Sequence, residues 1–534
     1  MKLKALAVAC AMACAAQAYA VTPSTTPDVQ LFLSGSSALQ NAIGQIHLDM
    51  CQTNTIDEMW DGTAAAPSGS NYRAYFCTFK STATTTSGIT IPASLQGKNV
   101  LLYNTAAGGS IKGINPIANA LPVTRLDITT CVVTSPAKSD AITGQTQVYA
   151  CPGTVTTAVP DAGVSDTEPA LFTGMNLAYP ASISPVSARV PAAGNAALTA
   201  TQLKNLTQTT ALGQPMGIVT TSNINATPGA LSLSKAQISS LMSGNTLTWT
   251  TVLGTTLPST TIGTGTTAVT YPAVDSVVVC RRQPGSGTQS AINAAIFGFP
   301  CSSSYTSPAD DSFTSATLGS TIPAAAGSYI VIENSSSGAV LTCLDNVQAG
   351  TMANAVGKQA IDVTSGALVA LGAPNSVVLP VGGIGIGVLG FDKVPGASDT
   401  VNQVAINGVA PTLANAVTGA FDIMVENSFQ IRAAATVAGS GAALAGLSAN
   451  GAPAAVVAGT TSIPKLVSPA LDFYNIFVAS AGNPVTLGTA GHVVPGVAAL
   501  TENGNVAPAT FTASNPVMRV GNGGNTCTPL YQMQ

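Results

Sequence analysis

The chain has 534 residues, of which only 7% are charged, against about 25% in ordinary soluble domains. A formal net charge of −4 leaves no basic face for nucleic acid, and a 46% hydrophobic content excludes disorder by composition. The length suits roughly two to four domains.

Residues 1–20 read as a secretory signal: Lys2 and Lys4 precede an apolar run from Ala5 to Ala16, and Ala18-Tyr19-Ala20 suits cleavage after Ala20. Cys10 and Cys14 lie in this leader without Leu three residues ahead, which argues against a lipoprotein. Without Lys2 and Lys4, 16 cations face 22 anions, a net charge of −6. No later stretch is apolar for long enough to span a membrane, so an exported, soluble chain with no membrane insertion is expected. Eight cysteines remain: Cys51, Cys77, Cys131, Cys151, Cys280, Cys301, Cys343 and Cys527. An even number in an exported chain points to disulfides. Spacing makes Cys51–Cys77, Cys131–Cys151, Cys280–Cys301 and Cys343–Cys527 the simplest set. No C-x-x-C occurs and the histidines are only His47 and His492, so neither a metal nor another cofactor is expected.

Asp28 to Leu33 alternates like a strand, Ser34-Gly35-Ser36-Ser37 follows, and Leu39, Ile43, Ile46 and Met50 then recur at helical spacing. A Ser-, Thr- and Gly-rich loop is expected up to about residue 93. Val100 to Tyr103 reads as a buried strand, followed by Asn104 to Ser110 and a helical pattern at Ile111, Ile114, Ala118 and Leu121, in which Pro116 is out of place. Asp161 to Pro169 holds three carboxylates in an acid-poor chain: either a polar turn capping a helix, or a carboxylate, Asp166, facing an anion. Pro215 to Ser222 reads as a strand, and Ser232 to Leu247 as a helix stopped near Gly244.

Ser276 to Cys301 is the third junction of the strand, glycine-rich loop, helix type. Val277, Val278 and Val279 lead to Arg281 and Arg282, then Pro284-Gly285-Ser286-Gly287-Thr288, then Ile292, Ala295 and Ile296 on one helical face. Such junctions aim free N–H groups at one point, and here scarce cations stand beside it. Gly382 to Gly390 alternates glycine with aliphatics and reads as a buried strand against other backbone, since no helix follows for a phosphate loop. Val404 to Thr418 reads as strand, turn and helix, and Phe421 to Ile431 as a return toward the N-terminal half. Residues 433–534 are Ala-, Gly- and Val-rich with few anchors, and no internal repeat is visible.

The order of these segments resembles the periplasmic phosphate-binding proteins of ABC transporters, within the type II periplasmic binding-protein fold. Ser34-Gly35-Ser36-Ser37 resembles that family's first anion loop, Tyr103 to Gly113 its second loop, and Gly163-Val164-Ser165-Asp166 its G-A-S-D segment. Leu231 to Trp249 resembles its helix followed by Lys/Trp, and Arg281-Arg282 with Gly285-Ser286-Gly287-Thr288 its R-R-x-x-G-S-G-T. Gly383 to Ile386 resembles its G-A-I-G-Y strand, and Ile406 to Thr418 its V-x-G-V-x-P-T-x-x-N-A run. The resemblance covers residues 28–432 and implies an α/β fold of two lobes with a hinge, to which this chain adds disulfide-rich insertions and a C-terminal extension. The implied division is 1–20 signal, 21–214 lobe 1, 215–420 lobe 2, and 421–534 a return to lobe 1 plus the extension.

The resemblance also implies a ligand set for inorganic phosphate or a related oxyanion. Ser36, Ser37, Ala38 and Ser110 come from the first lobe, Arg282, Ser286, Gly287 and Thr288 from the second, and Asp166 reads the proton of the anion. A buried carboxylate accepts a hydrogen bond from a protonated phosphate but repels sulfate, and such a site rejects the analogue by about 10⁴-fold. Pro284 stands where the family has an acid that orients the second arginine. Ala106 and Ala107 stand where it has a serine hydroxyl, with Thr105 and Ser110 as substitutes. The implied function is capture of the anion in the periplasm, or at the surface, of a Gram-negative bacterium, with an ABC-transporter permease as onward partner. The alternative is an extracellular or adhesive structural protein on the same fold. Two distant histidines leave little for acid–base work, so no enzyme is expected.

Overall fold

The structure is a computed structural model. It describes residues 22–69, 71–134, 147–177, 196–262, 268–272, 274–308, 329–349, 358–362, 367–373, 376–393, 399–433 and 469–481, with short pieces at 266, 445–447, 453–454, 520–521, 526–527 and 531–532. The leader with Cys10 and Cys14, and His492, lie outside the described residues.

The chain opens with β1 (Val29–Gly35) and α1 (Gln40–Met50), and β2 (Asp57–Thr63), β3 (Tyr72–Thr78), β4 (Asn99–Thr105), β5 (Gln147–Cys151) and β6 (Ala162–Ser165) follow. β1 runs parallel to both β4 and β6. The remaining strands extend the sheet in the order β6-β1-β4-β3-β2-β5. The loop expected up to residue 93 therefore contains β2 and β3, with the two-residue strand Ala66–Pro67 between them. The signal of β3 was the aromatic-rich apolar run Ala74-Tyr75-Phe76-Cys77, outweighed by the Ser/Thr/Gly content around it. Arg73 lies over the Trp60 ring at 4.1 Å, and Glu58 is 3.6 Å from its guanidinium.

Strand β7 (Leu206–Thr221) leaves this lobe and enters the next. The second lobe holds α2 (Lys235–Met242), β8 (Val277–Arg282), α3 (Gly287–Ala295), β9 (Tyr329–Asn334), α4 (Ser337–Ala349) and β10 (Ile384–Gly390). β8 lies parallel between β9 and β10, while β10 is antiparallel to the second half of β7. The chain returns along β11 (Met424–Arg432), which pairs antiparallel with the first half of β7 and with β6. These two antiparallel crossing strands thus join both halves into one continuous sheet, and the mixed α/β class expected from the sequence is the one the chain forms.

Alternation along β8 determines the second core. Val277 and Val279 face Ala291 and Ile292 of α3, whereas Val278 and Cys280 face Val340, Cys343 and Leu344 of α4. This corrects the cysteine pairing. Cys51–Cys77 and Cys131–Cys151 form, but the other two bonds are Cys280–Cys343 and Cys301–Cys527. Cys280 points to the α4 face, while Cys301 follows α3 on the other, so nearness in sequence misleads.

The tail also has an anchor that composition hid. Helix α5 (Ala470–Ala481) packs on the first lobe through Phe473 and Phe477, with Phe79 and Phe429 against them. The i, i+4 spacing of these two phenylalanines was its readable signal. His47 is caged by Tyr75, Phe79 and Phe473 beside the Cys51–Cys77 bond, and burial pushes its pKa down to about 3.

Candidate functional site

Three strand ends converge between the lobes. β1 stops at Gly35, which takes φ +135°; a Cβ there would lie 1.9 Å from the carbonyl oxygen of Val164. Only glycine lets the first loop close on β6. The Ser36 N–H then donates to Val164 O at 3.0 Å. The Ser36 hydroxyl donates to Asp166 Oδ1 and accepts from the Ala38 N–H at 3.1 Å. α1 follows with Leu39 at its N-cap and no side-chain cap.

From the second lobe, α3 begins directly after β8. The Ser286 hydroxyl caps it by accepting from the Gln289 N–H at 3.3 Å, so this predicted site residue serves the helix start. Thr288 Oγ1 donates to Asp166 Oδ2 at 3.1 Å. Ser110 Oγ accepts from the Asp166 N–H at 3.2 Å. A Cβ on Gly287 would lie 2.5 Å from Ser110 Oγ and 2.7 Å from Asp166 Cβ, so here too the lobes meet at a glycine.

Arg282 spans the same gap. Its Nη1 donates to Ser37 Oγ in the first lobe at 3.2 Å and to Ser337 Oγ in the second at 3.1 Å, and its Nη2 donates to Ser335 O at 3.0 Å. Its Nε is buried without a hydrogen-bond partner among the described residues. Pro284 supplies no acid, and these serines orient the guanidinium instead. Of these, Ser335 and Ser337 belong to Ser335-Ser336-Ser337-Gly338, where β9 runs into α4, a fourth strand–Ser/Gly–helix junction that carried no cation to mark it in the sequence.

The site is shielded from bulk solvent: Asp166 is 2% exposed and Arg282 1%. Burial raises the Asp166 pKa, opposed by the Ser36 hydroxyl, the Arg282 charge, Thr288 and Ser110. Burial lowers the Arg282 pKa to about 10, opposed by Asp166 and Asp392. Ser36, Ser37, Ser110, Asp166, Arg282, Gly287 and Thr288 are thus brought together. Ala38 joins them through its N–H on Ser36 and its carbonyl, which accepts from Gln214 Nε2 at 3.3 Å. Gln214 and Asp392 carried no signal in the sequence; only folding brings them to the site's edge.

Further contacts tie the lobes at the rim. Gly285 O accepts from the Ile111 N–H at 3.0 Å, and Asn176 O accepts from the Gly285 N–H at 2.7 Å. Asn293 Nδ2 donates to Asn176 Oδ1 at 2.8 Å, and Met175 packs on Phe299. Thr526, next to the cysteine bonded to Cys301, donates to Glu168 in the first lobe through its N–H at 3.0 Å and its hydroxyl.

No family model matches the sequence, and no curated protein matches it. Among solved structures, a putative phosphate ABC transporter substrate-binding protein with bound phosphate from Clostridium perfringens is similar. It is 12% identical, with 76% of this chain and 86% of that one covered and a TM-score of 0.34. An ABC-type phosphate transport receptor from Vibrio cholerae is 11% identical over 63% of this chain and 81% of its own, with a TM-score of 0.29. A possible phosphate-binding protein from Planctomyces limnophilus is 9% identical over 76% and 82%, with a TM-score of 0.28. These likenesses are too distant to transfer a ligand or a residue role.

Proposed function

We propose that this chain is an exported solute-binding protein that captures an oxyanion between its lobes, with inorganic phosphate as the first candidate. One observation carries the reading: hydroxyls from both lobes, Ser36 and Thr288, converge on one buried carboxylate, Asp166, beside a buried arginine that also spans the lobes. Two opposite charges taken out of water are costly unless they serve each other or a ligand. The unpartnered Arg282 Nε is a donor that an anion oxygen can take. Asp166 reads the proton, the hydroxyls and the first N–H groups of α3 hold the oxygens, and the crossing strands β7 and β11 let the lobes close. The four disulfides suit an oxidising compartment, and no helix among the described residues is long and apolar enough to cross a membrane. Binding needs no bond-making, and an ABC-transporter permease would be the onward partner.

Calorimetry with phosphate, using sulfate as competitor, tests the reading. Heat of binding in the micromolar range is expected, and no heat with phosphate would sink it. Asp166→Asn should lose the preference for phosphate over sulfate; an unchanged ratio removes the proton-reading role from Asp166.

One feature favours the alternative of a surface structural protein. The Cys301–Cys527 bond and the Thr526–Glu168 contacts strap the tail across both lobes, which suits permanence more than release. Recovery of the protein from washed cell surfaces with no bound anion would support that alternative.

A further inference from the structure

Asp392 lies just beyond the end of β10, where that strand meets the crossing strand β7. Its Oδ1 accepts from Gln214 Nε2 at 2.7 Å, and the same Nε2 donates to Ala38 O of the first anion loop at 3.3 Å. Gln214 Oε1 accepts from Asn427 Nδ2, on the other crossing strand, at 3.4 Å. One network therefore joins both crossing strands, the first loop and the end of a second-lobe strand. The space is full: a Cβ on Gly390 would lie 2.3 Å from Asp392 Oδ1 and 2.5 Å from Gln214 Nε2. The other oxygen, Asp392 Oδ2, is shielded from solvent and has no hydrogen-bond partner among the described residues.

Three charged groups face this carboxylate. Lys393 adjoins it in the chain, Asp166 faces it from the first lobe, and Arg282 senses it from β8. With Asp392 ionised, Arg282 would face two carboxylates before any anion arrived. With Asp392 neutral, the pair Asp166 and Arg282 balances. We propose that Asp392 is a positioning and specificity-determining residue of the oxyanion site, taking up a proton as the anion is captured. The inference rests on the reading of the cleft as an oxyanion site. Burial, with Asp166 adding to it, already pushes the Asp392 pKa up to about 7, against the opposing pull of Lys393 and Gln214. A second negative charge in the cleft pushes it further up. The sign follows: below about 7 Asp392 is neutral in the free protein and costs the anion nothing. Above that, each captured anion must bring a proton, and affinity falls by up to about tenfold per pH unit.

The test is calorimetry of the full exported chain with inorganic phosphate at several pH values from acid to alkaline, in two buffers of different ionisation enthalpy, for wild type and Asp392→Asn. Phosphate's own protonation is common to both proteins and cancels. Wild type is expected to take up protons near neutral pH beyond those the variant takes up. Asp392→Asn is expected to match wild type in acid and to bind about tenfold more tightly one pH unit above neutral. Gln214→Met, which removes the hydrogen bond favouring ionised Asp392, should move the wild-type pH midpoint upward. It keeps the test decisive if Asp392→Asn does not fold. Identical pH profiles and proton counts in wild type and Asp392→Asn, or an unmoved midpoint in Gln214→Met, overturn the proposal while leaving phosphate capture intact. No phosphate binding by wild type at any pH overturns the oxyanion reading and this inference with it.

Discussion

Arg281 and Arg282 are neighbours on one strand, both buried, yet they belong to different regions of the molecule. Arg281 stays within the second lobe, its Nη2 2.7 Å from Glu333 Oε1 on β9, with both side chains at most 3% exposed. Arg282, turned to the other face by strand alternation, reaches Ser37 in the first lobe and has serine oxygens rather than a paired carboxylate within hydrogen-bond reach. A buried arginine with its own acid is a structural element; one held by neutral groups across a cleft keeps charge to spare for a ligand. Burial alone does not distinguish them, since only the direction of the side chain does.

Substitutions can separate the two. Arg281→Met leaves Glu333 buried without its guanidinium and should cost about 3–5 kcal/mol of stability, read by denaturant unfolding, with phosphate affinity retained in the folded fraction. Arg282→Met should weaken phosphate binding by at least about 30-fold, equivalent to about 2 kcal/mol, with a smaller loss of stability because its hydrogen-bond partners are neutral. If the two variants exchanged these phenotypes, the functional assignment of the cleft would fail. Gly287→Ala should have the smallest effect. Its Cβ would press on Ser110 Oγ and Asp166 Cβ and hold the lobes apart, weakening binding by about tenfold with little change in unfolding midpoint. Unchanged affinity would mean that the lobes need not approach this closely when the anion is held.

Much of the site was readable because it is built from local junctions. A strand end, a small-residue loop and a helix start lie within a dozen residues of one another, as at Ser34 to Gln40 and at Arg282 to Gln289. The Ser335 to Gly338 junction was equally local and follows the triplet Ile330-Val331-Ile332, but no cation stands beside it to mark it out. Tyr72 to Thr78 and Ala470 to Ala481 show the opposite failure, in which an aromatic-rich strand run and a helical spacing were diluted by the Ser/Thr/Gly and Ala/Gly composition around them.

The family resemblance named Ser36, Asp166, Arg282 and Thr288 as candidates; the sequence by itself determined the α/β class, the scarcity of charge and the local strand–loop–helix junctions. Those features depend on near neighbours, through backbone geometry and side-chain period. The tertiary structure alone decided which distant groups meet: Cys280 with Cys343 and Cys301 with Cys527, Asp392 with Gln214, and Ser337 with Arg282. The reason is that β8 sends successive side chains to opposite faces, and which helix covers each face is settled by packing. The linear spacing of the residues carries no record of that choice.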